Sequence, residues 1–550
     1  MNRILRKSAA LAGFSTAVLA VAPSCTKDLD RTPTYDLTTE SVYKDFAGYQ
    51  AVAAKVYSGF AVTGPNGPAA TTGDVLGIDQ GASDYIRQLW SAQELTTDEA
   101  VVAWNTDPGV QDWHTMNWTS NGTPIQALYS RILYEITLCN GFLAEATDAK
   151  IASRGLSASE TQQVQAFRSE VRFLRALAYY HALDLFGNVP FPTEADQIGG
   201  TTPPRRITRA DLFAYLETEL KALETTLMAP TKNQYGRADQ GAAWMLLARL
   251  YLNAKTYTGT ARYADCATYA KKVIDSNAYG LASAYTNLFR ADNNTRATDA
   301  TGKPEIIFPI VSDGKLIQSY GGTTFLVHGA VAGTADANWK PSRYGIAEGW
   351  GGLRTTRRLY ELFPDTAADS RGKFQTGGQT LDIASLTTFA QGYVPIKFRN
   401  ITSTGVAGSD PVFVDTDYPM FRLADAYLMY AEAALNGGGD QNLAVTYVNL
   451  VRRRAFKNTN AGDVTLSTLT GDPYFMLNER SRELFWEGTR RTDLIRFDRF
   501  VGNSASAIAY NWPWKGGAIN GTTVPAYRAL FPIPVSDLSV NPNLVQNPGY

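Results

Sequence analysis

Apolar residues recur at helical spacing over most of the chain, and this pattern constrains the fold more than any other sequence feature. Side chains that repeat every three or four residues form one face of an α-helix, which has to be buried against a neighbour. The pattern predicts a short ordered segment over 84–90 and longer helices over 39–60, 125–147, 159–186, 209–227, 240–254, 264–276, 423–435, 443–455 and 474–499. The chain is therefore expected to be mainly α-helical.

Four of these helices are predicted to form two helix pairs. In the helix over 240–254, the spacing W-x2-L-G-x2-Y of a tetratricopeptide first helix is reproduced, with Ala in the Gly place, by Trp244, Leu247, Ala248 and Tyr251. A small residue there lets the helix over 264–276 approach closely. The helices over 423–435 and 443–455, joined by a triple-glycine turn, form a second pair. Such pairs predict a helical solenoid core built from tetratricopeptide-like helix pairs.

The segment over 291–418 differs from the helical regions. It is rich in Gly, Thr, Asp and Asn, and it contains short apolar runs over 306–311 and 323–327. This composition predicts loops with a few short strands. The stretch over 96–122 is also irregular, and the tail over 518–550 is punctuated by prolines. We therefore expect a loop-rich face beside the helical core.

The amino terminus has the pattern of an export signal. Three basic residues within the first seven positions precede an uncharged stretch over 8–22, which is too short to span a bilayer as a helix. Small residues then lead to Cys25, as at the cleavage site of a lipoprotein. The interpretation is a signal peptide over 1–24, acylation of Cys25 and a lipidated tether over 25–38. An ordinary signal peptide with a chance cysteine is the alternative.

Charge and cysteine content limit the classes of function. The chain has 51 basic and 52 acidic residues, and this balance argues against a nucleic-acid partner, which requires a clustered basic surface. Aromatic residues reach 11%, which is compatible with carbohydrate or peptide binding as well as with a large core. Besides Cys25, only Cys139 and Cys266 are present, and either one disulfide or two buried thiols would fit.

Glu479, Glu483 and Glu487 are the most tempting catalytic candidates. Their spacing of four residues would place them on one helix face, whereas a glycosidase needs two carboxylates facing each other across a sugar. Arginines are interleaved with these glutamates, so an ion-pair network between helices is the preferred interpretation. We therefore predict no catalytic residue.

Metal and cofactor motifs are not found in the sequence. The three histidines form no zinc-binding pattern, and no phosphate-binding loop or nucleophile-elbow motif occurs. Asp292, Asn294 and Asp299 could supply loop oxygens to a calcium ion, but their spacing is not that of an EF-hand. The prediction is a protein without a cofactor or metal.

Aromatic residues in irregular segments are the better functional signal. The apolar face of a sugar ring stacks on a flat side chain, and its hydroxyls meet polar groups at the rim. This mixture predicts ligand-binding residues in two places: Trp104, Asn105, Asp107 and Trp113 in the first, and Trp339, Tyr344 and Trp350 in the second. Core packing remains an equal alternative for each tryptophan taken alone. Trp244 and Trp486, within helical patterns, are expected to be core residues.

Several motifs, in order along the chain, resemble the SusD/RagB family of outer-membrane nutrient-binding lipoproteins. They are the segments 25–33, 168–176, 185–190, 236–238, 422–433, the N-x-V-R-x-R-A pattern over 449–455, the E-R…E-L…E-G-x-R…D-L-I-R pattern over 479–496, the F-P-I-P run over 531–534 and the ending 541–550. The resemblance covers essentially the whole chain after the signal peptide.

The resemblance implies a helical region over 39–290 and a second region, with the loop-rich insert, over 291–550. It implies a lipoprotein on the surface of the outer membrane that caps a SusC-like TonB-dependent transporter and delivers glycans to it. Binding of peptides instead of glycans is an alternative within the family. A surface glycoside hydrolase is the alternative from another class of function.

Overall fold

The computed structural model of the protein describes residues 38–68, 73–333 and 338–550. The predicted signal peptide and Cys25 lie outside the described residues. Among the described residues, eleven α-helices precede the loop-rich insert: α1 Thr39–Val42, α2 Phe46–Ser58, α3 Tyr85–Trp90, α4 Asp112–Thr115, α5 Thr123–Glu145, α6 Asp148–Ser153, α7 Ala158–Leu185, α8 Arg209–Leu223, α9 Gln240–Leu252, α10 Ala254–Thr258 and α11 Tyr263–Asp275.

Ten further α-helices follow in the described part of the chain. Three short ones lie within the loop-rich insert, namely α12 Asn293–Arg296, α13 Gly322–Gly329 and α14 Arg357–Glu361. The others are α15 Leu423–Ala433, α16 Gln441–Ala455, α17 Leu466–Gly471, α18 Phe475–Leu484, α19 Arg490–Arg496, α20 Ala505–Ala509 and α21 Val535–Val540. The prediction of a mainly α-helical protein is confirmed.

The long helices stack one against the next as a helical array. α5 packs against α7, α7 against α8, α8 against α9 and α9 against α11. α11 then packs directly against α15, which pairs with α16, although the whole insert separates α11 from α15 in the sequence. Both predicted helix pairs are therefore present, and the insert projects from a continuous array. The division at residue 290 remains a prediction, because one buried apolar cluster contains residues from both regions.

Small residues line the contact between α9 and α11, as the helix-pair motif requires. Ala248 of α9 and Ala270 of α11 are fully buried. Trp244 differs from its predicted core role, because it is only partly buried and its indole nitrogen donates a hydrogen bond of 3.2 Å to Glu224. At the turn after α15, Gly437 adopts a φ of +85°, which favours glycine.

The strands are short and form antiparallel pairs. β1 Val101–Val102 pairs with β5 Leu353–Arg354, β2 Val189–Pro190 with β3 Arg206–Ile207, β4 Ile306–Ile310 with β8 Tyr418–Arg422, and β6 Phe374–Gln375 with β7 Val394–Pro395. The apolar run over 306–311 is thus a strand, as predicted. The run over 323–327 is not, because it lies inside α13, where the Phe325 amide donates to the Gly321 carbonyl.

The predicted helix over 39–60 is interrupted. α1 ends at Val42, and α2 starts after Asp45, whose carboxylate accepts a hydrogen bond of 3.0 Å from the Gly48 amide. A Cβ atom at Gly48 would lie 1.7 Å from the Val42 carbonyl oxygen, so only glycine permits this close approach of the two helices. Apolar periodicity continues through the interruption, which explains why the pattern predicted one helix.

The predicted helix over 474–499 is also wrong as a single element. It divides into α18 and α19, and at the break Trp486 and Gly488 have φ values of +62° and +73°. Glu94 stabilises the break by accepting a hydrogen bond of 2.7 Å from the Gly488 amide. Trp486 is buried as expected, although it lies in the break and not in a helix. Its ring packs edge-on to Trp90 at 5.3 Å.

Glu479, Glu483 and Glu487 take part in a buried ion-pair network, as predicted. Arg422 contacts Glu483 and Glu487 at 2.6 Å each, and Arg371 contacts Glu479 at 2.9 Å. Glu487 lies in the break after α18, so the three carboxylates do not share one helix face. Each of the three carboxylates is paired with a buried basic side chain, and this arrangement favours a structural role over catalysis.

Two further points concern the described residues. Cys139 and Cys266 are both buried and free, so the disulfide alternative is excluded. Across residues 38–68, 73–333 and 338–550, every helix is too short or too polar to cross a bilayer.

Candidate functional site

A two-stranded ribbon brings two predicted tryptophans together. Trp104 follows β1 and Trp350 precedes β5, and the pairing continues as the Ala103 amide donates a hydrogen bond of 2.9 Å to the Gly352 carbonyl. The indole nitrogen of Trp104 donates to the Trp350 carbonyl at 3.1 Å. The centroids of the two indole rings are 6.5 Å apart, with 52° between their planes. Residues distant in sequence therefore present two partly buried rings side by side.

Tyr320 adds a third ring to this pair. Its centroid lies 6.3 Å from that of Trp350, again with 52° between the planes, and 5.1 Å from that of Phe413. Trp104, Tyr320 and Trp350 line one cavity of about 460 Å³, which we call the aromatic cleft. The Trp350 ring is tilted by 52° to each of the other two, so the cleft does not present a single flat aromatic surface.

The rings of the cleft are supported from behind. His328 stacks against Trp350 at 4.8 Å with 27° between the planes, and Phe325 packs edge-on to Trp104 at 5.8 Å. A Cβ atom at Gly352 would lie 2.3 Å from the Trp104 indole, so the absence of a side chain lets this ring lie on the backbone. The positions of both tryptophans are thus set by packing.

Polar groups form the rim of the cleft. Arg87 of α3 donates a hydrogen bond of 3.0 Å to the Gly81 carbonyl, and its guanidinium lies 4.0 Å from the carboxylate of Asp107. Burial lowers the pKa of Arg87, and nearby carboxylates, chiefly Asp107, partly offset this effect. Thr106 and Asp79 complete the exposed part of the rim. Hydroxyl groups of a ligand would meet both donors and acceptors there.

Asp84 connects the two elements that supply Arg87 and Tyr320. Its buried carboxylate caps α3 by accepting from the Arg87 amide at 2.9 Å. It also accepts hydrogen bonds from the Ser319 hydroxyl at 2.6 Å and from the Gly322 amide at 3.0 Å, on either side of Tyr320. Burial raises the pKa of Asp84, and these hydrogen bonds oppose the increase.

The structure separates the predicted site residues into two groups. Trp104, Asp107 and Trp350 line the aromatic cleft, while Asn105 is exposed next to it without lining it. The remaining three are buried elsewhere: Trp113 packs edge-on to Phe531 at 5.4 Å, Trp339 packs against Phe389 at 5.4 Å, and Tyr344 lies under Arg399 at 5.3 Å. Trp339 and Tyr344 do not line the aromatic cleft or the adjoining cavity of about 330 Å³, whereas Trp113 contributes to the wall of that adjoining cavity.

Sequence reasoning missed Tyr320 and Arg87. Tyr320 precedes two glycines in the insert, and this aromatic–glycine juxtaposition was the available signal. Arg87 lies within the short helical segment over 84–90, where the apolar spacing predicts a helix but does not indicate a function for the one cation. Neither position is marked by a motif, because its role arises from elements that meet only in the fold.

Other cavities are less suited to a sugar. A larger one of about 660 Å³, lined mainly by residues 190–204, has no aromatic side chain in its wall. Another of about 410 Å³ is mostly apolar, and two tyrosines in its wall, Tyr57 and Tyr235, donate their hydroxyls to Glu170 and Asp417. In the described part of the chain, His, Cys, Asp and Glu side chains form no group of three or more that could hold a metal ion.

Comparison with known proteins gave consistent matches. The SusD family model matches residues 377–550. The starch-binding protein SusD of Bacteroides thetaiotaomicron is 34% identical, over 98% of this chain and 98% of that protein. SusD-like protein P25 of Formosa agariphila is 25% identical, over 71% of this chain and 73% of its own length.

Solved structures agree with these matches at the level of the fold. A SusD homolog from Bacteroides thetaiotaomicron has a TM-score of 0.69 and 20% identity, with 93% of this chain and 98% of that chain covered. Surface glycan-binding protein A from Bacteroides uniformis has a TM-score of 0.67 and 22% identity, with 91% and 99% covered.

Proposed function

Because the chain belongs to the SusD family, as the resemblance of its motifs indicated, we propose that it is a cell-surface lipoprotein that binds a glycan in the aromatic cleft. The observation that carries this proposal is the grouping of Trp104, Tyr320 and Trp350 around one cavity. Aromatic rings bind the apolar faces of sugars, and partly exposed rings in a rimmed cleft indicate a ligand.

The charges at the rim favour a neutral glycan. Asp79 and Asp107 are exposed carboxylates, and among the described residues that line the cleft Arg87 is the one cation. A uronate or sulfate group would meet this excess of negative charge and lose its hydration. The name of the starch-binding relative supports the same class, since starch is a neutral polysaccharide. Maltohexaose is therefore the first probe.

Binding without hydrolysis fits the carboxylates of the cleft. A glycosidase requires an acid held in apolar surroundings opposite a second carboxylate. Asp79 and Asp107 are both exposed, and Asp107 faces a guanidinium. One alternative is a surface glycoside hydrolase, and an assay of reducing-sugar release from glycans distinguishes it from a binding protein. The other alternative is a peptide-binding member of the family.

Delivery to a transporter and membrane anchoring complete the proposal. Cys25 would carry the lipid at the surface of the outer membrane, with the tether over 25–38 leading to α1. A SusC-like TonB-dependent transporter would receive the glycan. Pull-down from outer membranes solubilised in mild detergent should recover a barrel of transporter size, and repeated recovery of the lipoprotein alone would contradict this part.

Calorimetric titration with a panel of neutral, acidic and peptide ligands tests glycan binding. We expect neutral oligosaccharides to bind and Trp350→Ala to weaken binding by about 0.5–1.5 kcal/mol, the value of one stacking contact. Trp514→Ala is the control, because Trp514 is also partly buried but does not line the cleft. Binding of peptides alone, or sugar release during titration, would contradict the proposal.

A further inference from the structure

A second, more enclosed cavity of about 330 Å³ adjoins the aromatic cleft. The two cavities share four lining residues, namely Asp79, Arg87, Trp104 and Asp107. We call the second cavity the inner chamber. Because the same side chains border both spaces, a substituent of a sugar stacked in the cleft has a short route into the chamber.

The wall of the inner chamber is largely apolar. Side chains that contribute to it are Leu95, Val102, Val110, Trp113 and Phe325. An unsubstituted 1,4-linked glucan offers hydroxyl groups at C2 and C3 and a hydroxymethyl group at C5, and burial of hydroxyls without partners is unfavourable. The chamber is therefore a poor match for an unsubstituted sugar and a good match for a group that contains a methyl.

One polar atom in the chamber lacks a partner. Gln88, 5% exposed, lines the chamber, and its amide nitrogen donates to the Ala82 carbonyl. This contact fixes the orientation of the amide, so Oε1 is the acceptor that remains, and no donor among the described residues reaches it. A buried acceptor without a donor is unfavourable and marks a place where a ligand can supply an N–H or O–H group.

We propose that the inner chamber binds the acetamido group of an N-acetylated glycan whose ring stacks in the aromatic cleft. An acetamido group has one N–H donor, one carbonyl acceptor and one methyl. The chamber offers Gln88 Oε1 as acceptor, the Arg87 guanidinium as donor and an apolar wall. An O-acetyl ester carries no N–H donor, so it would leave Gln88 Oε1 unpaired.

This inference rests on the proposed function and names its ligand class more closely. The test is calorimetric titration of the full chain with two hexasaccharides, one of β-1,4-linked N-acetylglucosamine and one of β-1,4-linked glucose, which differ only in the group at C2. We expect the acetylated hexamer to bind roughly tenfold more tightly or better, because it satisfies a buried acceptor. Maltohexaose is titrated in parallel.

Two variants test whether the preference for the acetylated hexamer arises in the inner chamber. Gln88→Leu removes the acceptor at similar size, and Val110→Phe fills the chamber without changing Gln88; each should reduce the ratio of the two affinities towards one. Gln379→Leu is the matched control, because the Gln379 amide also donates to a carbonyl, that of Phe389 at 2.9 Å, and its Oε1 is likewise unpaired, but it does not line the chamber. This control should keep the preference.

The outcomes separate this inference from the proposed function. Equal binding of the two β-linked hexamers, binding of unsubstituted glucans alone, or a preference that survives both chamber variants would overturn the acetamido inference and leave glycan binding intact. If no glycan in the wider panel binds, both fail. A preference abolished by Gln88→Leu and by Val110→Phe but retained in Gln379→Leu establishes the chamber as the acetamido subsite.

Discussion

At the scale of single residues, the cleft depends on side chains that a ligand never touches. Asp84 is buried, yet it holds both the helix that carries Arg87 and the turn that carries Tyr320. A Cβ atom at Gly321 would lie 1.9 Å from the Asp84 carboxyl carbon, which shows how tightly this turn wraps around it. Asp84 is therefore a positioning residue for the cleft.

Substitution of Asp84 tests this role. Asp84→Ala leaves the Ser319 hydroxyl and the Gly322 amide without their acceptor, and we expect a loss of about 1–3 kcal/mol in the free energy of unfolding. Glycan affinity should fall as well, because Tyr320 loses its support. Asp84→Asn retains one acceptor oxygen and should restore most of the affinity. Urea unfolding measures the loss of stability, and calorimetric titration measures the glycan affinity. Equal affinity in Asp84→Ala and wild type would contradict the positioning role.

At the scale of elements, the helix break between α18 and α19 shows how local conformation serves tertiary packing. Gly488 combines a φ of +73° with a close neighbour, since an added Cβ atom would lie 2.8 Å from the Tyr418 hydroxyl. The amide groups freed by the break donate to Glu94, which is buried. The break is thus held by contacts with a segment distant in sequence.

Gly488→Ala should lower the free energy of unfolding by roughly 1–2 kcal/mol or more, because a left-handed conformation is unfavourable for alanine and the added methyl contacts Tyr418. Gly471→Ala is the control, because Gly471 ends α17 without a positive φ and has open space around it. Urea denaturation measures both variants. A loss no larger in Gly488→Ala than in Gly471→Ala would contradict the importance of the break.

Sequence patterns predicted the helical array well, because apolar periodicity and small residues such as Ala248 report helix packing directly. They failed at the two interruptions, because apolar periodicity continues across both. The turn before α2 is set by the local contacts of Asp45 and Gly48, whereas the break after α18 is held by Glu94, which is distant in sequence. Aromatic residues in loops indicated Trp104 and Trp350, but the same signal marked Trp113, which is buried against Phe531 from the far end of the chain. Burial of a loop aromatic depends on such long-range partners, which a local pattern does not contain.

At the scale of the whole molecule, buried ion pairs tie the loop-rich insert to the helical array. Glu483 of α18 contacts Arg422 of β8 at 2.6 Å and Arg371, in the insert, at 3.2 Å, and it also pairs with Arg454 of α16. Burial alone would raise the pKa of Glu483, but Arg454, Arg422 and Arg371 outweigh it and lower the pKa to about 2. One carboxylate thus links three separate parts of the fold.

Glu483→Gln should reduce the free energy of unfolding by about 3–5 kcal/mol at neutral pH, because it leaves buried guanidinium groups without their partner. Since the pKa of Glu483 is lowered on folding, its contribution is present above about pH 4.5 and is lost as the pH falls towards about 2. The difference between wild type and variant should therefore shrink in acid.

Denaturant titration at pH 7 and pH 3 measures this difference. Glu361→Gln is the control, because its pair with Arg357 at 3.5 Å is exposed and should contribute within about 0.5 kcal/mol. A pH-independent difference, or an effect of Glu483→Gln as small as that of the control, would contradict the proposed role of the network.

The most direct test of the account is a crystal structure of the protein with a bound oligosaccharide from the calorimetric panel. The account predicts sugar rings stacked on Trp104, Tyr320 and Trp350, with hydroxyl groups at hydrogen-bond distance from Arg87 or Asp107. A sugar bound in the cavity of residues 190–204 or elsewhere, with the aromatic cleft empty, would contradict the assignment of the site.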